Sequence, residues 1–217
     1  MPTVFSPAAN LVTKLVLGGA LAGAVTLAGA GWVLPQISHH TRVGYAQPQP
    51  VQFSHEHHVG GLGIDCRYCH TSAEVSANAG FPPTHTCMSC HSQIWTNAEM
   101  LAPVRRSLME SEPIRWNRVN KLPDYVFFNH SIHVTKGVGC VTCHGPIDRM
   151  PLTWKGASLQ MSWCLGCHRD PAPNLRPVEE VFNPTWTRTD ETPPGEQLLA
   201  EYGIHPATLS DCSVCHR

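Results

Sequence analysis

Apolar residues along this chain form one long block and then scatter. From Leu15 to Leu34 the sequence runs 20 residues without a charge. At about 1.5 Å per residue a helix of that length spans about 30 Å, the thickness of a bilayer core. The pattern predicts one transmembrane anchor at 15–34, preceded by a short segment, 1–14, and followed by a linker, 35–50. Gly18, Gly19, Ala22, Gly23 and Gly29 within it would let other membrane helices approach closely. A cleaved signal peptide, with Ala28-Gly29-Ala30 or Gly44-Tyr45-Ala46 as the small-residue site, is the competing reading. The run is longer than a usual signal core, which favours an anchor that persists.

Beyond residue 50 few periodic stretches survive. The chain has 19 prolines and 17 glycines, so long helices and sheets are both disfavoured there. Loops and short helices are expected, with two better-defined helical stretches. One runs near Asn97 to Met109 and is bent or interrupted by Pro103; the other runs from Glu196 to Tyr202 and is ended by Gly203.

Composition narrows the function. Only 14% of the 217 residues are charged and the net charge is −1, so no nucleic-acid footprint is present. A basic stretch (Arg105, Arg106, Arg115, Arg118, Lys121) and an acidic one (Glu179, Glu180, Asp190, Glu191, Glu196) are solvated faces by default, and propionate-pairing or docking surfaces in the sharper reading.

The anomaly is ten cysteines and fourteen histidines. Every cysteine falls in one of five C-x-x-C-H motifs: Cys66 to His70, Cys87 to His91, Cys140 to His144, Cys164 to His168 and Cys212 to His216. None is left for a disulfide. In this motif two thiols bond the vinyl groups of one porphyrin and the adjacent histidine becomes an iron ligand. Cofactor attachment is therefore expected at Cys66, Cys69, Cys87, Cys90, Cys140, Cys143, Cys164, Cys167, Cys212 and Cys215, with His70, His91, His144, His168 and His216 on the iron. A zinc site would need four converging ligands and gives no reason for a histidine after every second cysteine. Thioredoxin-like chemistry would use one reactive pair in a βαβ unit, not five pairs in a proline-rich chain. The expected cofactors are five heme c.

A repeat supplies the other axial ligands. Phe53 to Val59 and Phe128 to Val134 both read F-x-H-x-x-H-V, each ahead of two C-x-x-C-H motifs. Histidines at i and i+3 share one helical face. Each iron has one position left, so His55 and His58, and likewise His130 and His133, are expected to serve two different hemes held in near contact. For the fifth iron Met161 is preferred, because a thioether raises the potential; Met150 and His205 stay open, and Met161 is equally readable as core packing. His57, aligned with Ile132, reads as a surface residue or a hydrogen-bond donor behind a ligand, and His39 and His40 read as interfacial. His85 is too near Cys87 to reach the far face of its own heme. Trp95, Trp116, Trp154, Trp163 and Trp186 are expected to wall the porphyrin faces.

The expected domains are a first di-heme module (51–95), a linker with a helix (96–125), a second di-heme module (126–172) and a C-terminal extension with the fifth heme (173–217). The fold class is a multiheme cytochrome c, loop-rich with short α-helices packed around five hemes, plus one N-terminal transmembrane helix. Lys14 and Arg42 give almost no charge asymmetry across the span. Because c-type attachment occurs outside the cytoplasm, the heme domain is expected on the periplasmic side and residues 1–14 on the cytoplasmic side.

These residues resemble a family, the pentaheme cytochrome subunit of bacterial alternative complex III. The likeness is carried by the anchor, Phe53 to His70, Pro82-Pro83-Thr84 before Cys87, Pro113 to Trp116, Leu122 to Asp124, Phe128 to His144 and Trp163 to Arg169. The F-x-H-x-x-H repeat alone is also similar to small cytochromes of the c3 and c7 type. The resemblance implies an electron-transfer subunit with no catalytic residues of its own. It would receive electrons of quinol oxidation from an iron-sulfur subunit, beside multi-helix membrane subunits, and pass them to a soluble cytochrome c, a copper protein or an oxidase. The alternative of the same class is a stand-alone quinol dehydrogenase cytochrome feeding a periplasmic reductase; the 31 residues between Leu34 and Cys66 weaken it. A multiheme reductase acting on nitrite or hydroxylamine would call for an open iron, often at a C-x-x-C-K motif, which this sequence lacks.

Overall fold

The computed structural model describes residue 6 and residues 8–216. Residues 1–5 and 7 of the expected N-terminal segment, and residue 217 of the C-terminal extension, lie outside the described residues. The chain divides into two compact units, Met1–Arg42 and Val43–Arg217.

The first unit is built on α1 (Ala9–Val33), 25 residues long or about 38 Å. It begins six residues before the predicted start, because Asn10, Thr13 and Lys14 continue the helix. It stops where Pro35, which has no N–H to give, enters a 3-10 turn at Leu34–Gln36. By length and composition α1 can cross a membrane. A single turn, α2 (Ser38–Thr41), ends at Arg42 in the left-handed region (φ 57°).

The second unit is loops punctuated by short helices. These are α3 (Cys66–Cys69), α4 (Thr84–His91), α5 (Ala102–Glu110), α6 (His130–Thr135), α7 (Cys140–His144), α8 (Met161–Arg169), α9 (Gly195–Glu201), α10 (Pro206–Leu209) and α11 (Cys212–Cys215). A π-helical turn at Glu56–Gly61 carries the first repeat. β-Pairing among the described residues is limited to isolated bridges: Val43 with Lys155, Ala46 with Trp154, Val126 with His216 and Val138 with Leu175.

Local chemistry sets these elements. The Asp65 carboxylate accepts the Arg67 N–H at 2.8 Å and so starts α3. Asn129 does the same for α6, accepting the Ser131 N–H at 3.0 Å. The helix expected near Asn97 to Met109 is instead a 3-10 turn at Glu99–Leu101 running into α5, with Pro103 in the first turn of α5. A proline there forfeits no intrahelical bond, so it opens the helix rather than bending one. Arg105 secures the approach, donating to the carbonyls of Thr96 (3.0 Å) and Ala98 (2.8 Å). The expected helix at Glu196 is found as α9, and Gly203 follows it in the left-handed region (φ 60°).

The apolar core is thin. Eleven apolar side chains among the described residues are buried, three of them alanines, so side-chain packing alone gives a unit of this size little to fold around. One cluster, Val51, Leu101 and Val104, gathers Cys87, Met88, Ala98, Ile114 and Trp116 around it. Met150, Leu175, Val181 and Leu198 are fully buried elsewhere. Two glycines permit close approaches: a Cβ at Gly60 would strike the Asp148 carbonyl, and one at Gly156 would strike the His144 carbonyl.

Candidate functional site

All five C-x-x-C-H motifs lie on helical turns. In α3, α7 and α11 the first cysteine is the first helical residue; in α4 and α8 the motif occupies the last turns. One turn places both thiols and the following imidazole on neighbouring sides of a short cylinder. The ten cysteines are all unpaired. Burial raises the thiols of Cys69, Cys87, Cys143, Cys164 and Cys167, Cys143 to about 12, so these groups are poor thiolates. No group of three or more His, Cys, Asp or Glu side chains among the described residues converges as a metal cage.

The two F-x-H-x-x-H repeats fold alike although one is π-helical and the other α-helical. Phe53 stacks on His58 at 4.4 Å and meets His55 edge-on at 4.9 Å. Phe128 stacks on His133 at 4.4 Å and meets His130 edge-on at 4.8 Å. The repeated spacing thus uses its phenylalanine to fix both rings. His58 Nδ1 donates to the Ser54 carbonyl at 2.8 Å, and His133 Nδ1 to the Asn129 carbonyl at 2.7 Å.

Three of these rings face motif histidines at one recurring distance. His58 and His91 have centroids 6.2 Å apart, His130 and His144 6.3 Å, and His133 and His168 6.2 Å. An iron bound by two imidazoles through bonds of about 2 Å sets ring centroids about 6 Å apart, so each pair fits one metal between its rings. His55 lies near His70, His58 and His144; burial first, then those neighbours, lower its pKa to about 4. Burial lowers His144 to about 4 and also lowers His58 and His133, so these imidazoles are neutral, as ligands must be.

A further regularity separates ligand candidates from the other histidines. Besides His58 and His133, backbone carbonyls accept Nδ1–H from His70 (Gly80, 2.8 Å), His91 (Ile94, 3.2 Å), His130 (Ala77, 2.9 Å), His168 (Leu209, 2.9 Å) and His216 (Tyr125, 3.2 Å). His55 Nδ1 pairs with the Thr153 hydroxyl at 3.0 Å, and His144 Nδ1 with the Asn120 amide at 3.0 Å. A carbonyl acceptor fixes the proton on Nδ1 and leaves the Nε2 lone pair for a metal. Turning the Asn120 amide so that Oδ1 faces His144 gives that ring the same tautomer and a partner for an otherwise orphaned, buried oxygen. His39, His40, His57, His85 and His205 carry no ring-nitrogen hydrogen bond among the described residues.

The remaining expectations fall out unevenly. Met161 opens α8 and is 62% exposed, so it is not core packing; Met150 is 0% exposed and fills space beside Gly145. The ring against His216 is that of Tyr125, at 5.8 Å. His57 is neither free nor a ligand candidate: it stacks on Trp95 at 6.0 Å, and Trp95 adopts a left-handed backbone (φ 55°). Trp186 lies beneath the Arg176 guanidinium at 4.6 Å, and Trp116 belongs to the Val51 cluster. No sequence pattern marks Thr153, the carbonyl acceptors or Arg176. Arg176 is 6% exposed beside Cys140, with its Nε orphaned. Asn120 had a signal, since it lies in the Pro113 to Asp124 linker.

Paired thiols on helical turns, each followed by an imidazole whose Nε2 is free to face another, define a multiheme cytochrome c. No family model matches the chain. The menaquinone reductase multiheme cytochrome c subunit of Nitratidesulfovibrio vulgaris is 31% identical over 194 residues, 88% of this chain and 76% of that protein. The chain belongs to the family of that multiheme cytochrome c subunit.

Proposed function

We propose that this chain is a membrane-anchored pentaheme electron relay within a quinone-linked complex. Heme c, once bound, supplies a one-electron iron couple. The cysteine pairs of α3, α4, α7, α8 and α11 hold five such groups. His70, His91, His144, His168 and His216 would each supply one iron ligand, and His55, His58, His130, His133 and Met161 the second. The pairing is His55 with His70, His58 with His91, His130 with His144, His133 with His168 and, least constrained by contacts, Met161 with His216. With two side chains held to each iron, this chain would exclude small substrates from the metal and keep electron transfer as its task. The observation that carries this reading is the recurrence of imidazole pairs at 6.2–6.3 Å with Nδ1 tied away.

In this reading α1 anchors the chain with residues 43–217 on the periplasmic side. The di-heme modules span 51–95 and 126–172, and the fifth site lies in 173–217. The complex is of the alternative complex III type: an iron-sulfur subunit and multi-helix membrane subunits pass electrons of quinol oxidation to this chain. A soluble cytochrome c, a copper protein or an oxidase then takes them. The name of the N. vulgaris relative favours a second reading, in which electrons flow toward menaquinone instead.

Purification in mild detergent followed by addition of a menaquinol tests the proposal. Iron-sulfur and multi-helix subunits are expected to accompany the chain, and quinol is expected to reduce its α-band absorption. If the reduced complex instead hands electrons to added menaquinone and quinol fails to reduce it, the reverse direction holds. A chain that purifies alone and reacts directly with quinol is the stand-alone dehydrogenase cytochrome.

A further inference from the structure

If electrons passed through the attachment sites in chain order, site two would adjoin site three. The contacts between sites describe another order. Sites one and two are joined by Tyr68 of α3 and Ser89 of α4, whose hydroxyls lie 2.7 Å apart, and by the Glu56–Gly61 turn, whose His58 faces His91. Site two is otherwise packed into the Val51, Leu101 and Val104 cluster, with Thr84 of α4 bonded to Ser107 of α5 at 2.5 Å.

The bridge between modules springs from site one. The loop after it supplies the carbonyls of Ser76 and Ala77, which accept the Ser131 N–H (3.1 Å) and the His130 N–H (3.3 Å) at the start of α6. Ala77 also accepts His130 Nδ1–H, so a site-one loop orients the ring that faces His144 of site three. The first attachment cysteines of these two sites meet the same segment: Cys66 Sγ points to the Phe182 carbonyl at 3.9 Å, and the Cys140 N–H donates to the Val181 carbonyl at 3.2 Å.

Sites three and four share α6, whose His130 and His133 face His144 and His168. Site five adjoins site four: α10, three residues before Cys212, supplies the Leu209 carbonyl to His168.

Resting on the heme-ligand reading above, we propose that the five attachment sites form one line in the order two, one, three, four, five. Sites two and five are then its ends, where electrons enter and leave, and site one is an interior member with two neighbours. The α4–α5 cluster around Trp116 and the α10–α11 segment are accordingly the regions that partners must approach.

Replacement of the distal ligands in the full-length holoprotein tests the order. A methionine ligand, uncharged like the imidazole it replaces, raises the potential of its own site, which then stays reduced and one charge less positive while its neighbours titrate; the nearest sites feel this most, because Coulomb interactions weaken with distance. His55→Met is expected to shift the midpoints of two other hemes, those of sites two and three, whereas His58→Met shifts one, that of site one. The reverse pattern, one for His55→Met and two for His58→Met, overturns the order in favour of chain sequence. Midpoints that neither variant moves overturn the ligand reading and the order with it. Should either variant fail to mature, nuclear Overhauser contacts between hemes in the reduced wild-type protein decide. Cross-peaks between sites one and three are expected; cross-peaks between sites two and three in their place contradict the order.

Discussion

The hydrogen bond at Nδ1 gives each candidate histidine one ring nitrogen for the protein and one for a metal. Motif spacing makes five candidate histidines legible, and the F-x-H-x-x-H repeat four more, because both are local patterns. Their acceptors are not legible, since Thr153, Ala77, Gly80 and Leu209 are brought by loops whose path no periodicity encodes. Asn120 is the most informative of them. Its side chain holds the His144 tautomer and makes that ring a more basic donor. Asn120→Leu is expected to raise the midpoint potential of one heme, on the order of tens of mV, and leave the other four in place. Spectropotentiometric titration checks this, and five unmoved midpoints would contradict it. Burial also predicts a pH dependence. His55 and His144 have folded pKa values near 4 against about 6.5 unfolded, so below pH 6.5 the unfolded chain binds more protons. Stability from these groups is fully present above pH 6.5 and lost as pH falls toward 4. The melting temperature should therefore drop between pH 7 and pH 5; a melting temperature that holds or rises would show these rings to be solvated.

At the scale of elements, a proline, glycine or capping side chain stands at one end of α3, α4, α5, α6, α7, α9 and α10, which keeps these helices short, whereas α8 and α11 have none at their caps. The α9 helix is legible from its Gly203 stop, and α1 from its apolar run. The start of α1 is not, because Asn10, Thr13 and Lys14 are polar yet compatible with a helix that continues past the apolar block. Pro103 shows the limit of reading a single residue: its placement in the first turn of α5 depends on the preceding 3-10 turn. The glycine contacts carry a direct test. Gly156 abuts the His144 carbonyl and the Gly145 backbone at the end of α7, so an added methyl must displace the motif of site three. Gly156→Ala is expected to destabilise the unit by about 1–3 kcal/mol, as overpacking does, and to broaden the low-spin spectrum of one heme. Denaturant unfolding followed by visible absorption measures both; an unchanged midpoint would mean that the loop 151–160 yields freely.

For the molecule as a whole, thiol pairs and facing imidazoles, rather than a side-chain core, organise residues 43–216. The thin core follows from a sequence so interrupted by proline and glycine, and the five C-x-x-C-H motifs mark the candidate centres around which it is arranged. The arrangement of those centres was hidden, because the joining contacts are remote in sequence: Val126 with His216, Phe127 N–H with the Cys215 carbonyl at 2.8 Å, and Ala77 with His130. The central claim is that this chain fills both axial positions of every iron it holds. Spin-quantified electron paramagnetic resonance of the oxidised protein at low temperature, referenced to chain concentration, tests it most directly. Five low-spin ferric hemes per chain, unaltered by nitrite, are predicted. A high-spin signal that shifts when nitrite is added, or a total far below five, would contradict it.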